Sequence, residues 1–194
     1  MPGVTLDDLS ASGSHRTGHF RLSSGLHSSD YLQLALHLAA PRRARLAGRA
    51  LADVIQEKME GPDLVVSPAI GGLIIGHETA SALDLPFLFA ERDQEGAMVL
   101  RRGFAIERGQ RIVVVEDVIT TGGSVREVIA AIERDGGRPV GVGSLVNRSG
   151  VANPFAPLPF AALVEVSFPT WQPDECPLCR DGIPIEKPGS RPVT

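Results

Sequence analysis

Hydrophobic positions along this chain switch repeatedly between two patterns. Short continuous apolar runs of strand length occur at Asp63-Leu64-Val65-Val66-Ser67, at Leu85 to Ala90, at Ile112-Val113-Val114-Val115, at Pro139 to Val146 and at Phe160 to Val166. Between them the apolar spacing lengthens to that of helices. Pro41 through Met59 carries Ala47, Leu51, Val54 and Ile55 on one stripe, with Pro41 suited to the first helical turn. Arg42, Arg43, Arg45 and Arg49 fall mostly on the opposite side and read as a solvated face. A second helix is expected from the Gly71-Gly72 pair through His77 to Leu83. A third carries Val125, Val128, Ile129 and Ile132, runs to about Asp135 and stops at Gly136-Gly137.

Strands alternating with helices predict an α/β fold with a mostly parallel central sheet flanked by helices, and a site at the carboxyl edge of that sheet. Two flanking regions break the alternation. Residues 5 to 13 predict a short helix with Thr5 as N-cap and Leu6 and Leu9 on one face. Gly18 to Gln33 reads as two short alternating strands around a Ser-Ser-Gly turn, a hairpin that caps the core. From residue 153 onward nine of the fifteen prolines accumulate, so the tail is expected to be irregular or extended. The chain therefore divides into an N-terminal segment (1–40), an α/β core (41–168) and a proline-rich tail (169–194). No internal repeat is visible.

Composition narrows the function classes. At 194 residues the chain fits one domain with small additions, and 43% hydrophobic residues suffice for a sizeable core. A net charge of −4 suggests neither a nucleic-acid nor a membrane-surface partner. No apolar run approaches the roughly 20 residues that span a bilayer. Met1 to Asp8 lacks the basic and apolar regions of a signal peptide, and a cytoplasmic location is expected. The basic residues are mostly arginines; Lys58 and Lys187 are the only lysines.

The chemistry concentrates in one stretch, where Ile112 to Val115 is followed by Glu116-Asp117, then Val118-Ile119, then Thr120-Thr121-Gly122-Gly123-Ser124, and then the third helix. A glycine- and hydroxyl-rich turn at a helix N-terminus offers backbone N–H groups, side-chain donors and a favourable dipole to a phosphate. The two carboxylates would repel that phosphate. They suit sugar hydroxyls, or a magnesium ion faced through water. A Walker A loop needs Gly-Lys-Ser/Thr after its glycines and a dinucleotide fingerprint needs Gly-x-Gly-x-x-Gly; neither is present. A second glycine loop, Pro68-Ala69-Ile70-Gly71-Gly72, also joins a strand to a helix.

The stretch from Ile112 to Ser124 resembles the phosphoribosyl-diphosphate (PRPP) signature of type I phosphoribosyltransferases. That resemblance implies that Glu116, Asp117, Val118, Ile119, Thr120, Thr121, Gly122, Gly123 and Ser124 bind PRPP. It also implies that Ile70 and Gly71 belong to a pyrophosphate loop, where a non-proline cis peptide is common. The segment Asp93 to Phe104 matches in position a mobile catalytic loop that normally carries lysine and histidine. Here its cations are arginines, so Arg92, Arg101 and Arg102 become the candidates, Arg92 on the diphosphate, because a guanidinium clamps phosphate oxygens bidentately. With Asp117 they complete the catalytic set. The pattern Gly18-x-Phe20-x-Leu22, then Ser24-Gly25, Ser28 or Ser29 and Tyr31, resembles the hood that covers the base in orotate phosphoribosyltransferases. The lysine common before Ser-Gly is Ser23 in this chain; His27 or Arg21 could take over its base contact, although a surface residue is the favoured reading of His27.

Asn147-Arg148-Ser149-Gly150 resembles the orotate-specific turn after a strand. Orotate carries a carboxylate beside the reacting nitrogen, which an arginine fork can grip with two charge-assisted bonds. Thr120, Arg148 and Ser23 are thus the orotate candidates. The family implies transfer of phosphoribose from PRPP to orotate, Mg2+ held through PRPP and water with no direct protein ligand, and a homodimer. Two rivals stand beside it. A purine phosphoribosyltransferase would keep Glu116 to Ser124 but has no use for Arg148 or the hood. A PRPP-sensing regulator without catalysis fits the missing lysines, but the chain shows no added helix-turn-helix or basic stripe. Cys176-Pro177-Leu178-Cys179 lacks the second pair of a four-cysteine zinc site. A packed turn, a disulfide, and a metal site completed by a second subunit or by histidine all remain open.

Overall fold

The structure, a computed structural model, describes residues 4–22 and 24–188. Ser23, a candidate for the base, lies outside the described residues. The chain opens with α1 (Leu6–Ala11), whose start is fixed by a reciprocal capping box. The Asp8 amide donates to Thr5 Oγ1 at 3.2 Å, and the Thr5 amide donates to the Asp8 carboxylate at 2.9 Å. The expected hairpin follows as β1 (His15–Arg21) and β2 (His27–Leu32), paired antiparallel with a register shift between Thr17 and Phe20. A short α2 (Leu34–Leu38) leads into the long α3 (Pro41–Lys58).

The core follows the strands and helices read from the sequence: β3 (Leu64–Pro68), α4 (Gly72–Leu83), β4 (Phe87–Arg92), β5 (Met98–Leu100), β6 (Arg111–Ile119), α5 (Gly123–Arg134), β7 (Arg138–Asn147) and β8 (Phe160–Glu165), with one addition, the short strand β5 in the segment matched to a mobile loop. These six strands form one sheet in the order β5-β4-β3-β6-β7-β8. All neighbours are parallel except the edge hairpin β4–β5. Both faces are covered, which explains the continuous apolar runs. One face buries Val65, Val113 and Val115 against Leu9, Leu51, Ile55 and Ile75, while the other buries Val66, Ile112 and Val114 against Val125, Val128 and Ile132. Each fully buried aliphatic side chain of this kind contributes about 1.5–3 kcal/mol relative to exposure, so the sheet is a stiff base for the loops at its edge.

The strand order locates the site. From β3 the chain moves outward to β4 and β5, then returns to add β6 on the other side of β3 and continues to β7 and β8. The order therefore reverses between β3 and β6, and the loops leaving those two carboxyl ends face a shared crevice.

The tail differs from expectation. It contributes a strand, β9 (Thr170–Trp171), and a one-turn helix, α6 (Pro177–Arg180). β9 pairs with β2 through His27↔Trp171 and Ser28↔Thr170, giving a second, three-stranded sheet in the order β1-β2-β9. Backbone pairing of two residues leaves no periodicity to read, and the prolines on either side obscured it.

Candidate active site

β6 is longer than its apolar run. It continues through both acids to Ile119, so Glu116 and Asp117 lie within the strand. Glu116 is only 8% exposed. The loop leaving β3 comes directly against them. A Cβ built on Gly71 would stand 2.9 Å from Asp117 Oδ1, and one on Gly72 would stand 3.1 Å from Glu116 Oε1. The Ala69–Ile70 peptide is cis, and Ile70 is 83% exposed, leaving this part of the loop open to solvent.

Internal hydrogen bonds engage only part of the two carboxylates. Glu116 Oε1 accepts from the Asp117 amide at 3.1 Å, and Asp117 Oδ1 accepts from the Val118 amide at 2.7 Å. Burial, then the charge of Asp117, raises the Glu116 carboxyl from its ordinary range to about 9. Burial pushes Asp117 in the same direction. The pair consequently holds a proton near neutral pH.

After Ile119 the chain turns through Thr120 and Thr121 into Gly122, the N-cap of α5, at φ 75° in the left-handed region that favours glycine. Glu116 and Val118 to Val125 line one small cavity at this turn. The turn is tied to a distant segment by Arg126, which is not among the residues expected from the sequence. Arg126 donates to the Thr121 carbonyl at 2.6 Å and to the Pro154 carbonyl at 2.8 Å, and its guanidinium lies over the Phe155 ring at 5.3 Å. Its position one turn into α5 was the available signal, but nothing in sequence indicates that residues 154 and 155 return to meet it.

Arg148 follows β7, and its amide donates to the Ile119 carbonyl at 2.9 Å, which sets it beside Thr120. Two of the three orotate candidates are therefore adjacent. Asn147 shapes the turn: its amide group donates to the Val151 carbonyl at 2.9 Å, and its Oδ1 accepts from the Ser149 hydroxyl at 2.7 Å. The Arg148 guanidinium lies over Phe168 at 5.4 Å, and the same ring stacks on His15 at 5.2 Å. Burial lowers the Arg148 pKa, while the nearby Asp30 and Tyr31 of β2 act against that shift. An arginine remains charged under such conditions. The residue thus stands where the core edge meets the hairpin sheet.

The remaining arginines are engaged elsewhere. Arg92 Nη1 pairs with Glu127 Oε2 of α5 at 2.7 Å and also donates to the Gly96 carbonyl. Arg101 and Arg102 both meet Glu91, at 3.9 and 2.9 Å, and Arg102 also lies over Phe89. The segment around them is folded as the β4–β5 hairpin, with its turn closed by Asp93 Oδ1 accepting from the Glu95 and Ala97 amides at 2.9 Å each. One expectation is corrected outright. His27 is not a surface residue; it is 6% exposed, because β9 and α6 fold over the hairpin.

A sequence profile described as the phosphoribosyl transferase domain matches residues 37–154, more than half the chain. The chain belongs to that family. Within it, the chain is 48% identical to an orotate phosphoribosyltransferase of Carboxydothermus hydrogenoformans over 90% of each chain. It is 46% identical to the orotate phosphoribosyltransferase of Pelotomaculum thermopropionicum over 98% of this chain and all of that one. This places it among the orotate phosphoribosyltransferases. The fold agrees: a crystal structure of Mycobacterium tuberculosis orotate phosphoribosyltransferase superposes with a TM-score of 0.66 at 21% identity, covering 82% of this chain and 97% of the other. Among the described residues, no helix is long and apolar enough to cross a membrane.

Proposed function

We propose that this protein transfers the 5-phosphoribosyl group from PRPP to orotate, giving orotidine 5′-monophosphate and pyrophosphate, a step of pyrimidine biosynthesis. The observation that carries the reading is the convergence, at the switch between β3 and β6, of the Ile70-Gly71 loop, the Glu116-Asp117 pair and the Thr120–Ser124 turn, with Arg148 alongside.

In this reading the Thr120–Ser124 turn takes the 5′-phosphate on its amides and hydroxyls, aided by the α5 dipole. Glu116 and Asp117 accept from the ribose hydroxyls. Their shared proton would be given up when those hydroxyl donors arrive, because hydrogen bonds to the charged form favour it. The amides at Ile70 and Gly71 face the diphosphate, and Arg92 reaches it once it leaves Glu127. Arg101 and Arg102 close over the leaving group by the same exchange of an exposed ion pair, which holds only about 0–1 kcal/mol. Arg148, with Thr120, grips the orotate carboxylate and aims its ring nitrogen at the ribose C1; Ser23 belongs to the same base contact.

As the C1–O bond lengthens, positive charge grows at C1 and negative charge on pyrophosphate. The protein then acts by positioning and by fixed charges rather than by a covalent intermediate. The donor set fits Mg2+, since two carboxylates at the crevice mouth are hard oxygen ligands that can meet the ion through water. With Glu116 and Asp117 facing it through water, such an ion would supply charge neutralisation to the diphosphate leaving group. A cytoplasmic homodimer in which the β4–β5 hairpin reaches the neighbouring site completes the proposal, together with the division into hood (1–40), PRPP-binding core (41–168) and tail (169–194).

The deciding experiment supplies PRPP and magnesium with a panel of bases and follows pyrophosphate release. Release with orotate alone is expected. Release only with a purine, or with no base at all in the panel, overturns the assignment.

A further inference from the structure

Where the tail folds onto the hairpin sheet, four side chains bring soft-metal donor atoms together. His19 lies on β1 and His27 on β2, Cys176 is the N-cap of α6, and Cys179 lies within that helix. Their donor atoms all fall within 4.8 Å of one another. His19 Nε2 is 3.1 Å from His27 Nδ1, 3.5 Å from Cys176 Sγ and 3.6 Å from Cys179 Sγ, while Cys179 Sγ is 3.3 Å from His27 Nδ1. Tetrahedral zinc, with bonds near 2.0–2.1 Å to nitrogen and 2.3 Å to sulfur, sets its ligands about 3.3 Å apart for two nitrogens and about 3.6 Å for nitrogen and sulfur. The observed separations follow that pattern.

Hydrogen bonding does not account for the cluster. One ring nitrogen has a single proton or a single lone pair, yet His19 Nε2 has three close neighbours. Its other nitrogen, Nδ1, lies 2.8 Å from the Ile183 carbonyl, which only accepts, so Nδ1 carries the proton and Nε2 presents its lone pair. An imidazole held by a backbone carbonyl through its second nitrogen is the usual way in which a metal-binding histidine is oriented. The backbone is arranged for the same end. The register shift between Thr17 and Phe20 lets the consecutive residues His19 and Phe20 both be buried, at 3% and 1% exposure, where regular alternation would turn one of them outward.

We infer that His19, His27, Cys176 and Cys179 form a structural site for one zinc ion, which fastens the C-terminal tail to the hairpin. Four protein ligands leave no open position, so the site is structural rather than catalytic. Two thiolates and two neutral imidazoles around Zn2+ make a neutral unit, suited to a site in which Cys176 is fully buried, and two thiol protons leave as the ion binds. The tail needs such a fastening. β9 has two residues and α6 four, both far below the length that is stable alone. Beyond them, Arg21 and Glu186 share a 2.8 Å backbone bond and Arg16 pairs with the Glu186 carboxylate at 2.7 Å.

The test uses untagged, full-length protein purified under reducing conditions from zinc-supplemented medium, with no chelator. Elemental analysis should find about one zinc per chain, lost in the Cys176→Ser/Cys179→Ser double variant. Replacing zinc by cobalt in the parent protein should give thiolate-to-cobalt charge transfer and tetrahedral ligand-field bands. Titrating its thiols with a mercurial should release zinc in step with their modification. These two readouts need no variant, so a poorly folding double mutant does not blunt the test. Protein without zinc and with both thiols free, a Cys176–Cys179 disulfide under the same reducing conditions, or full zinc content in the double variant each overturns the site.

Discussion

Gly71 stands so close to Asp117 that a Cβ on the glycine would come within 2.9 Å of the carboxylate Oδ1 and 3.1 Å of its Cγ. The loop after β3 and the acids of β6 are therefore one unit, and any side chain at position 71 must move one of them. Gly71→Ala is expected to weaken PRPP binding by about tenfold or more through displaced groups. The loop is exposed, so the thermal midpoint should move by no more than about 2–4 °C. Calorimetric titration with Mg-PRPP beside a melting curve checks both; unchanged affinity would mean that the loop does not meet the ligand.

Glu116 gives stability a recognisable pH dependence. Its folded-state pKa is raised from 4.5 to about 9, so across that window the folded protein binds more protons than the unfolded chain, and its stability falls as pH rises. Glu116→Gln removes the ionisation. The variant should match the parent near pH 5 and exceed it by roughly 1–2 kcal/mol toward pH 9 in urea unfolding, while losing about tenfold in PRPP affinity. Equal pH slopes for the two proteins would sink the assignment.

Arg148→Ala should raise the KM for orotate about 10- to 100-fold, the equivalent of one lost charge-assisted pair, with PRPP affinity nearly unchanged. Arg148→Lys should recover only part of this, because an ammonium lacks the planar fork. Equal losses for both substrates would place the residue on PRPP instead.

Arg126 acts on the turn through its backbone, bonding the Thr121 and Pro154 carbonyls. Arg126→Ala is expected to cost about 1–2 kcal/mol of stability and to weaken PRPP binding several-fold, since the turn loses its tie to the Pro154 segment. Arg126→Lys, able to reach one carbonyl, should fall between. Unfolding and titration on the three proteins give the ranking.

Much of this architecture could be read without coordinates, because its signals are local. The apolar runs at Leu64 to Val66 and Ile112 to Val115 already mark strands buried in the core of the domain, and the glycine turns at Gly71 and Gly122 mark strand-to-helix passages. The order of residues from Glu116 to Ser124 specifies two acids beside an anion-binding helix start, which is chemistry dictated by residue type and spacing. Family membership followed from the same stretch.

Only the tertiary structure decided which distant segments meet. Arg126 on Pro154, Phe168 between His15 and Arg148, and His27 covered by the tail each depend on chain returns that leave no periodic trace in sequence. The same holds for the cysteines. In sequence Cys176 and Cys179 are a pair without partners, and folding brings Cys176 to His19, 157 residues away, and Cys179 to His27, 152 residues away, through a two-residue strand and a bulge. Short-range order is set by propensity and spacing, whereas these encounters are set by how the hairpin and tail pack on a finished sheet.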